Sequence, residues 1–154
     1  MLDFVFENHT LDTEWSEDFF KNIFDHALKY LKIIEKKSLP AGRQVELGLQ
    51  LITPQKSGEL NNQYRGNDKP TDVLSFPLAD NTLKKYDILP LGDIFICLEV
   101  VKQQAEEIKI PLSQELARLA VHGLLHLLGY DHERSPGDEQ KMIDLQEKIL
   151  ETLD

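Results

Sequence analysis

The sequence predicts an α+β fold: a small four-stranded mixed sheet packed with about five helices, with a histidine-rich helix ending at the rim of the sheet. Three observations carry this expectation. Apolar residues alternate with period two in short segments, which is strand patterning, and recur at i, i+3, i+4 and i+7 in the longer segments between them, which is helix patterning. Three of the five histidines fall within the eleven residues His122 to His132, where an apolar helical run meets a glycine.

The elements follow in order. Leu2, Phe4 and Phe6 alternate as a short strand, and Glu14 to Lys37 carries Phe19, Phe20, Ile23, Phe24, Ala27, Leu28, Leu31 and Ile34 at helical spacing, an aromatic stripe that belongs to the core. Val45, Leu47, Leu49 and Leu51 alternate over a second strand. Pro54 to Tyr64 is predicted helical because a proline suits a first turn, where its missing N–H has no partner to lose. Val73 to Phe76 and Asp93 to Leu98 complete the four strands. A helix from Glu99 to Lys109 ends near Pro111, the histidine helix starts around Leu112 or Ser113, and Ser135-Pro136 opens a last amphipathic helix through Leu150. Internal repeats, low-complexity tracts and linkers are not seen in the sequence.

His122 and His126 are four residues apart in a helical run, so their side chains share one face about one turn, roughly 6 Å, apart along the axis. Gly129 can take a left-handed conformation that ends the helix and swings His132 back toward the first two imidazoles. Three nitrogen ligands with a fourth position open is the catalytic arrangement of zinc. Zn2+, one per chain, is therefore the expected cofactor, with His122, His126 and His132 as ligands. A structural zinc or a buried histidine cluster is the alternative.

The spacing His-x3-His-x2-Gly-x2-His is that of the metzincin peptidases, with one chemical difference. Gly123 stands where their glutamate base would be, which argues against peptide cleavage by that route. A zinc ion lowers the pKa of bound water from about 16 to about 7 without a neighbouring carboxylate. Glu115 lies two helical turns before His122 on roughly the same face, a candidate base or hydrogen-bond partner of a ligand. Asp131 and Glu133 flank His132 and either accept an imidazole N–H or are simply solvated.

Asn61 to Pro77 reads as turn chemistry followed by a strand. Arg65-Gly66-Asn67-Asp68-Lys69-Pro70 is a loop signature, and Val73-Leu74-Ser75-Phe76 a short buried strand ended by Pro77. An arginine in that loop either reaches a ligand or pairs with Asp68 or Asp72. Tyr64-Arg65-Gly66, Pro70-Thr71-Asp72-Val73-Leu74-Ser75-Phe76-Pro77, Leu91-Gly92-Asp93-Ile94, and His122-Gly123 through Asp131-His132 together resemble, in order, the motifs of the YbeY endoribonucleases, bacterial rRNA-maturation factors. The resemblance covers essentially the whole chain, and four blocks in order are far more specific than one His-x3-His.

What it implies is a single-strand-specific, zinc-dependent metallo-endoribonuclease in 3′-end maturation of small-subunit (16S) rRNA and in late ribosome quality control. Its partners would be single-stranded precursor rRNA and the ribosome or small-subunit proteins, with no membrane and no DNA. By position, His122, His126 and His132 would hold zinc, and Arg65 and His122 would be the catalytic residues. The guanidinium of Arg65 offers a rigid fork of donors to a phosphate and to the charge developing on it.

Composition agrees with a small enzyme. The 154 residues fit one domain, 1–154, large enough to bury a core without staples. The single cysteine, Cys97, lies in an apolar run, where it reads as a small buried hydrophobe. No basic amino-terminal leader or apolar run long enough for a membrane span is seen, so a cytoplasmic location is expected. A net charge of −10 is awkward for a nuclease. The acidic residues concentrate in Asp12 to Asp25 and Asp138 to Glu151, leaving Arg65, Lys69, Lys84, Lys85 and Arg118 as local positive groups, with a ribosomal partner expected to supply affinity. Two rival readings remain: a metalloprotease-like hydrolase using another base, and a non-catalytic ribosome-assembly factor stabilised by zinc.

Overall fold

Side chains alternate across a strand, so the period-two apolar residues all face one way and must be covered. The computed structural model describes residues 2–33, 44–78, 88–130 and 136–153. Among these the strands are β1 (Leu2–Asn8), β2 (Gln44–Ile52), β3 (Val73–Pro77) and β4 (Ile88–Cys97), in the order β1-β2-β4-β3. β1, β2 and β4 are parallel and β3 is antiparallel to β4, the mixed sheet that the sequence predicts. The helices are α1 (Glu17–Ile33), α2 (Pro54–Arg65), α3 (Leu98–Ile108), α4 (Leu112–Leu127) and α5 (Pro136–Glu151).

α1 starts three residues later than the apolar periodicity alone implies, at Glu17 rather than Glu14. The hydroxyl of Ser16 accepts the backbone N–H of Phe19 at 3.2 Å, satisfying one of the free donors of a first turn. From there Phe20, Ile23, Phe24, Ala27 and Leu31 are buried against α4 and β1, with Phe20 stacked on Phe6 and Phe24 tilted against Phe4, in one core cluster with Val45, Leu47 and Leu49 of β2. β4 starts at Ile88, earlier than the predicted Asp93. Pro90 and Gly92 read as strand breakers, but the ladder shifts register between Glu46 and Leu47 directly opposite them, and an irregularity is where a strand tolerates proline. Gly92 itself has φ +134°, and a Cβ there would lie 2.2 Å from the Phe76 carbonyl oxygen, so only glycine lets β3 and β4 meet at this point.

α4 is the centre of the molecule. Leu116, Leu119, Ala120, Val121, Leu124 and Leu125 are buried among α1, α5 and the sheet. α2 packs on the opposite face of the sheet over β3 and β4, where Leu60 joins Ile52, Leu74 and Cys97 in a second cluster. Cys97 is fully buried and burial pushes its thiol pKa up, in keeping with a packing role.

Candidate active site

The apolar face of α4 is fixed by the core, and this fixes its remaining face too: His122 and His126 emerge half-buried near its C-terminal end. Their rings meet edge to face with centroids 4.6 Å apart, and the two Nε2 atoms are 3.0 Å apart. The other nitrogen of His122, Nδ1, lies 2.8 Å from Oε1 of Gln146 on α5. An amide oxygen only accepts, so Nδ1 carries the proton, and the neutral ring presents a lone pair at Nε2. The Gln146 amide nitrogen donates to Glu147 Oε1 at 3.4 Å, which sets the amide's orientation. In the neutral pair His126 Nε2–H donates to His122 Nε2.

α4 ends as predicted. The N–H of Tyr130 bonds to the carbonyl of Leu125 and that of Gly129 to the carbonyl of His126, both at 3.0 Å, the paired bonds of a Schellman turn with Gly129 at φ +92°. The chain therefore reverses just beyond the histidine pair. His132, Asp131 and Glu133 lie outside the described residues, as do Lys84 and Lys85. Among the described residues no group of three His, Cys, Asp or Glu side chains is placed to hold a metal; of the three candidate ligands His122 and His126 are the ones described.

Gly123 is buried and faces the sheet. A Cβ at this position would lie 3.0 and 3.1 Å from two carbons of Ile94 and 3.1 Å from Oγ of Ser75, tighter than ordinary carbon contacts. A glutamate has no room there, so the missing peptidase base is a consequence of close helix-sheet packing. Glu115 is not a spare base either. It is 2% exposed, and Arg118 binds both its oxygens, Nε to Oε1 and Nη2 to Oε2, the latter at 3.0 Å. Glu115 in turn raises the pKa of Arg118, chiefly through that hydrogen bond, and its carboxylate offsets the guanidinium charge, so the pair offers little net positive charge to a polyanion.

Arg65 is the last residue of α2 and is exposed. Thr53 caps the start of the helix by accepting from Lys56 N–H, and Gly66, at φ +70°, caps its end. Among the described residues Arg65 forms no ion pair with Asp68 or Asp72; the Asp72 carboxylate accepts instead from the N–H of Val73 at 2.8 Å and from the hydroxyl of Thr71 at 3.3 Å. No hydrogen bond joins Arg65 to either histidine among these residues. The two regions do share one end of the sheet: the Tyr64 ring lies 4.6 Å from that of Phe76, whose backbone oxygen borders Gly92, which borders Leu127 of α4.

Sequence reasoning missed the residues that hold these groups in place. Gln146 sits within the core-facing stripe Met142, Leu145, Ile149 of α5 and is 3% exposed; a polar residue in an apolar stripe is the signal that marks it. On α2, Ser57 and Asn61 are buried and clamp the loop after Arg65. The Ser57 hydroxyl accepts from Thr71 N–H and donates to Thr71 O, both at 2.9 Å, and the Asn61 amide donates to Lys69 O at 2.9 Å. Their partners follow in a loop whose path no periodicity reveals.

Fold and site together define a small α+β protein built round one central helix that pairs two imidazoles at its end. The family model described as Endoribonuclease YbeY matches residues 5–154, and the chain belongs to that family. It is 43% identical over 142 residues to the Endoribonuclease YbeY of Persephonella marina, covering 92% of this chain and 86% of that protein. It is 47% identical over 127 residues to the protein of the same name from a Sulfurihydrogenibium species, covering 81% of this chain and 82% of that one. A Thermotoga maritima protein solved in solution superposes with a TM-score of 0.62 at 30% identity, covering 97% of this chain and 87% of that one.

Proposed function

We propose that this protein is a zinc-dependent, single-strand-specific endoribonuclease that matures the 3′ end of small-subunit rRNA in the cytoplasm and acts in late ribosome quality control. The observation that carries the reading is the approach of His122 Nε2 to His126 Nε2 at 3.0 Å, in a chain whose relatives are named endoribonucleases. Two nitrogens bound to one tetrahedral zinc at about 2.0–2.1 Å stand about 3.3 Å apart, so the pair needs to open by only a few tenths of an ångström. Neutral imidazole is a preferred zinc donor, and Nδ1 of His122 is already engaged elsewhere. The residues fit the ion.

His122 and His126, with His132 from the chain beyond Gly129, are the residues that would hold zinc. When bound, zinc supplies Lewis acidity and makes hydroxide available from water near neutral pH. The remaining chemistry belongs to the chain's own groups. Arg65 donates in-plane N–H groups to the scissile phosphate and to the charge that builds on its oxygens in the transition state. The Schellman turn places the end of the helix that carries the pair close to the end of β3, where Leu127 borders Gly92, and the RNA strand is taken to approach from this end of the sheet.

Affinity has another source. Arg118 is engaged by Glu115 and Lys102 by Asp12 at 2.5 Å, whereas Arg65 and Lys69 are exposed and form no ion pair among the described residues. With a net charge of −10, the free protein binds RNA weakly and relies on a small-subunit protein partner; a steep salt dependence of RNA binding by the free protein counts against this.

The test is cleavage of a single-stranded RNA bearing the 3′ end of precursor small-subunit rRNA by zinc-loaded protein, Arg65→Ala and His126→Ala, purified alike. Arg65→Ala is expected to lose about 10²- to 10³-fold in rate, the scale of one charge-stabilising donor, with its fold and metal content unchanged. Equal cleavage by all three preparations refutes the reading.

A further inference from the structure

We infer that Gln146 is a positioning residue for the histidine pair: its side-chain oxygen fixes His122 in the Nδ1–H tautomer and thereby sets the affinity of the pair for a divalent metal. The inference rests on the proposed reading of His122 as a ligand and extends it to a second helix. The 2.8 Å contact between Gln146 Oε1 and His122 Nδ1 joins α5 to α4. Gln146 is 3% exposed, so water does not compete for this bond, and its neighbours Met142, Leu145 and Ile149 are buried and hold the helix in register. A buried amide in an apolar stripe is expensive unless paired, and this one is paired at both ends, to His122 and to Glu147.

The consequence for His122 is chemical. A neutral imidazole carries one proton, and in water it favours the Nε2–H form, which would place a hydrogen where the ion must go. An acceptor at Nδ1 moves that proton away and leaves the Nε2 lone pair facing Nε2 of His126. Partners of this kind change metal affinity by about 10- to 100-fold when removed. Gln146 touches neither water nor substrate in this scheme; it acts through His122.

The experiment uses the full chain and reads two quantities. Long-range ¹H–¹⁵N spectra of the metal-free protein report which ring nitrogen of His122 is protonated, and competition with a chromophoric chelator reports zinc affinity. Wild type is expected to show Nδ1–H. Gln146→Met, of similar volume but without an acceptor, is expected to show the Nε2–H form and to bind zinc about 10- to 100-fold more weakly. Gln146→Glu keeps an acceptor in the same place and is expected to retain both the Nδ1–H tautomer and at least wild-type affinity. If Gln146→Met does not fold, Gln146→Asn withdraws the acceptor by one methylene and is expected to weaken zinc in the same direction. A purely structural role lowers thermal stability in Met, Asn and Glu variants without moving the tautomer, and unchanged tautomer and affinity in Gln146→Met or Gln146→Asn overturn the inference alone. Wild type that takes up no zinc overturns the metal reading and this inference with it.

Discussion

The two halves of α4 each carry a close pair of polar side chains, and the pairs differ in kind. In the first half Glu115 and Arg118, three residues apart, are opposite charges joined by two hydrogen bonds. In the second half His122 and His126, four residues apart, are like groups with their Nε2 atoms face to face at 3.0 Å. The first pair completes itself. The second pair is two like groups with one proton between their Nε2 atoms, and imidazoles converging in this way are the donors that a zinc site uses. On one helix with one packing face, complementarity marks a structural pair and convergence of like donors marks a chemical one.

The largest effect that tests this contrast is at the second pair. His126→Ala is expected to abolish zinc retention, measured as metal content after dialysis, while leaving the metal-free fold at near wild-type thermal stability, since the ring is half-buried and leaves no buried charge behind. Loss of the fold in the metal-free state would make His126 a core residue and erase the distinction between the halves. Next in size is Gly123→Glu, in the second half between the two histidines. The contacts of 3.0–3.1 Å that a Cβ would make with Ile94 and Ser75 imply overpacking that costs about 3 kcal/mol or more, because the longer side chain adds a buried charge. Restoring the glutamate of the peptidase motif is therefore expected to lower the denaturation midpoint and to give no peptide cleavage.

Glu115→Ala comes third. It strips Arg118 of a bidentate partner, and with the Arg118 side chain 37% exposed the arginine regains water, which limits the destabilisation to about 1–3 kcal/mol in urea unfolding. Zinc affinity is expected to stay within twofold of wild type. A large fall in zinc affinity would join Glu115 to the site after all.

These contrasts show how far the chain could be read. Element types and most bounds were legible because the core follows periodicity: Phe20, Phe24, Leu47, Leu49 and Leu124 are all buried where alternation or helical spacing places them. The histidine pair was legible because a helix fixes the geometry of i and i+4. What was not legible depends on contacts between distant segments. Glu115 is the exception, because it reads as a helper of His122 by helical position and is occupied by Arg118, a partner that i, i+3 spacing on the same helix does offer. Gln146 is 24 residues beyond His122 in sequence, and only tertiary packing brings it to Nδ1. The early start of β4 was hidden for the same reason, since Pro90 and Gly92 break a strand locally and are tolerated only against the irregular register of β2.

The smallest expected effect belongs to a third pair, Asp12 and Lys102, which extends the comparison to the surface. Lys102 Nζ lies 2.5 Å from Asp12 Oδ2, with the lysine side chain 45% exposed. The Lys102 hydrogen bond first, then the backbone N–H of Glu14, holds the Asp12 carboxyl below its ordinary value of 3.8. A folded-state pKa lowered in this way adds stability that is fully present above the unfolded value and is lost as pH falls through the folded value. Lys102→Met is therefore expected to be slightly less stable than wild type at neutral pH, by the small margin usual for exposed pairs, with the two stability curves converging as pH drops below 3.8. Added salt should shrink the neutral-pH difference, because exposed charges are screened, and should leave the Glu115→Ala difference nearly intact, because that carboxylate is shielded from solvent. Equal salt sensitivity of the two variants would mean that burial does not separate the pairs, and the contrast along α4 would then rest on the histidines alone.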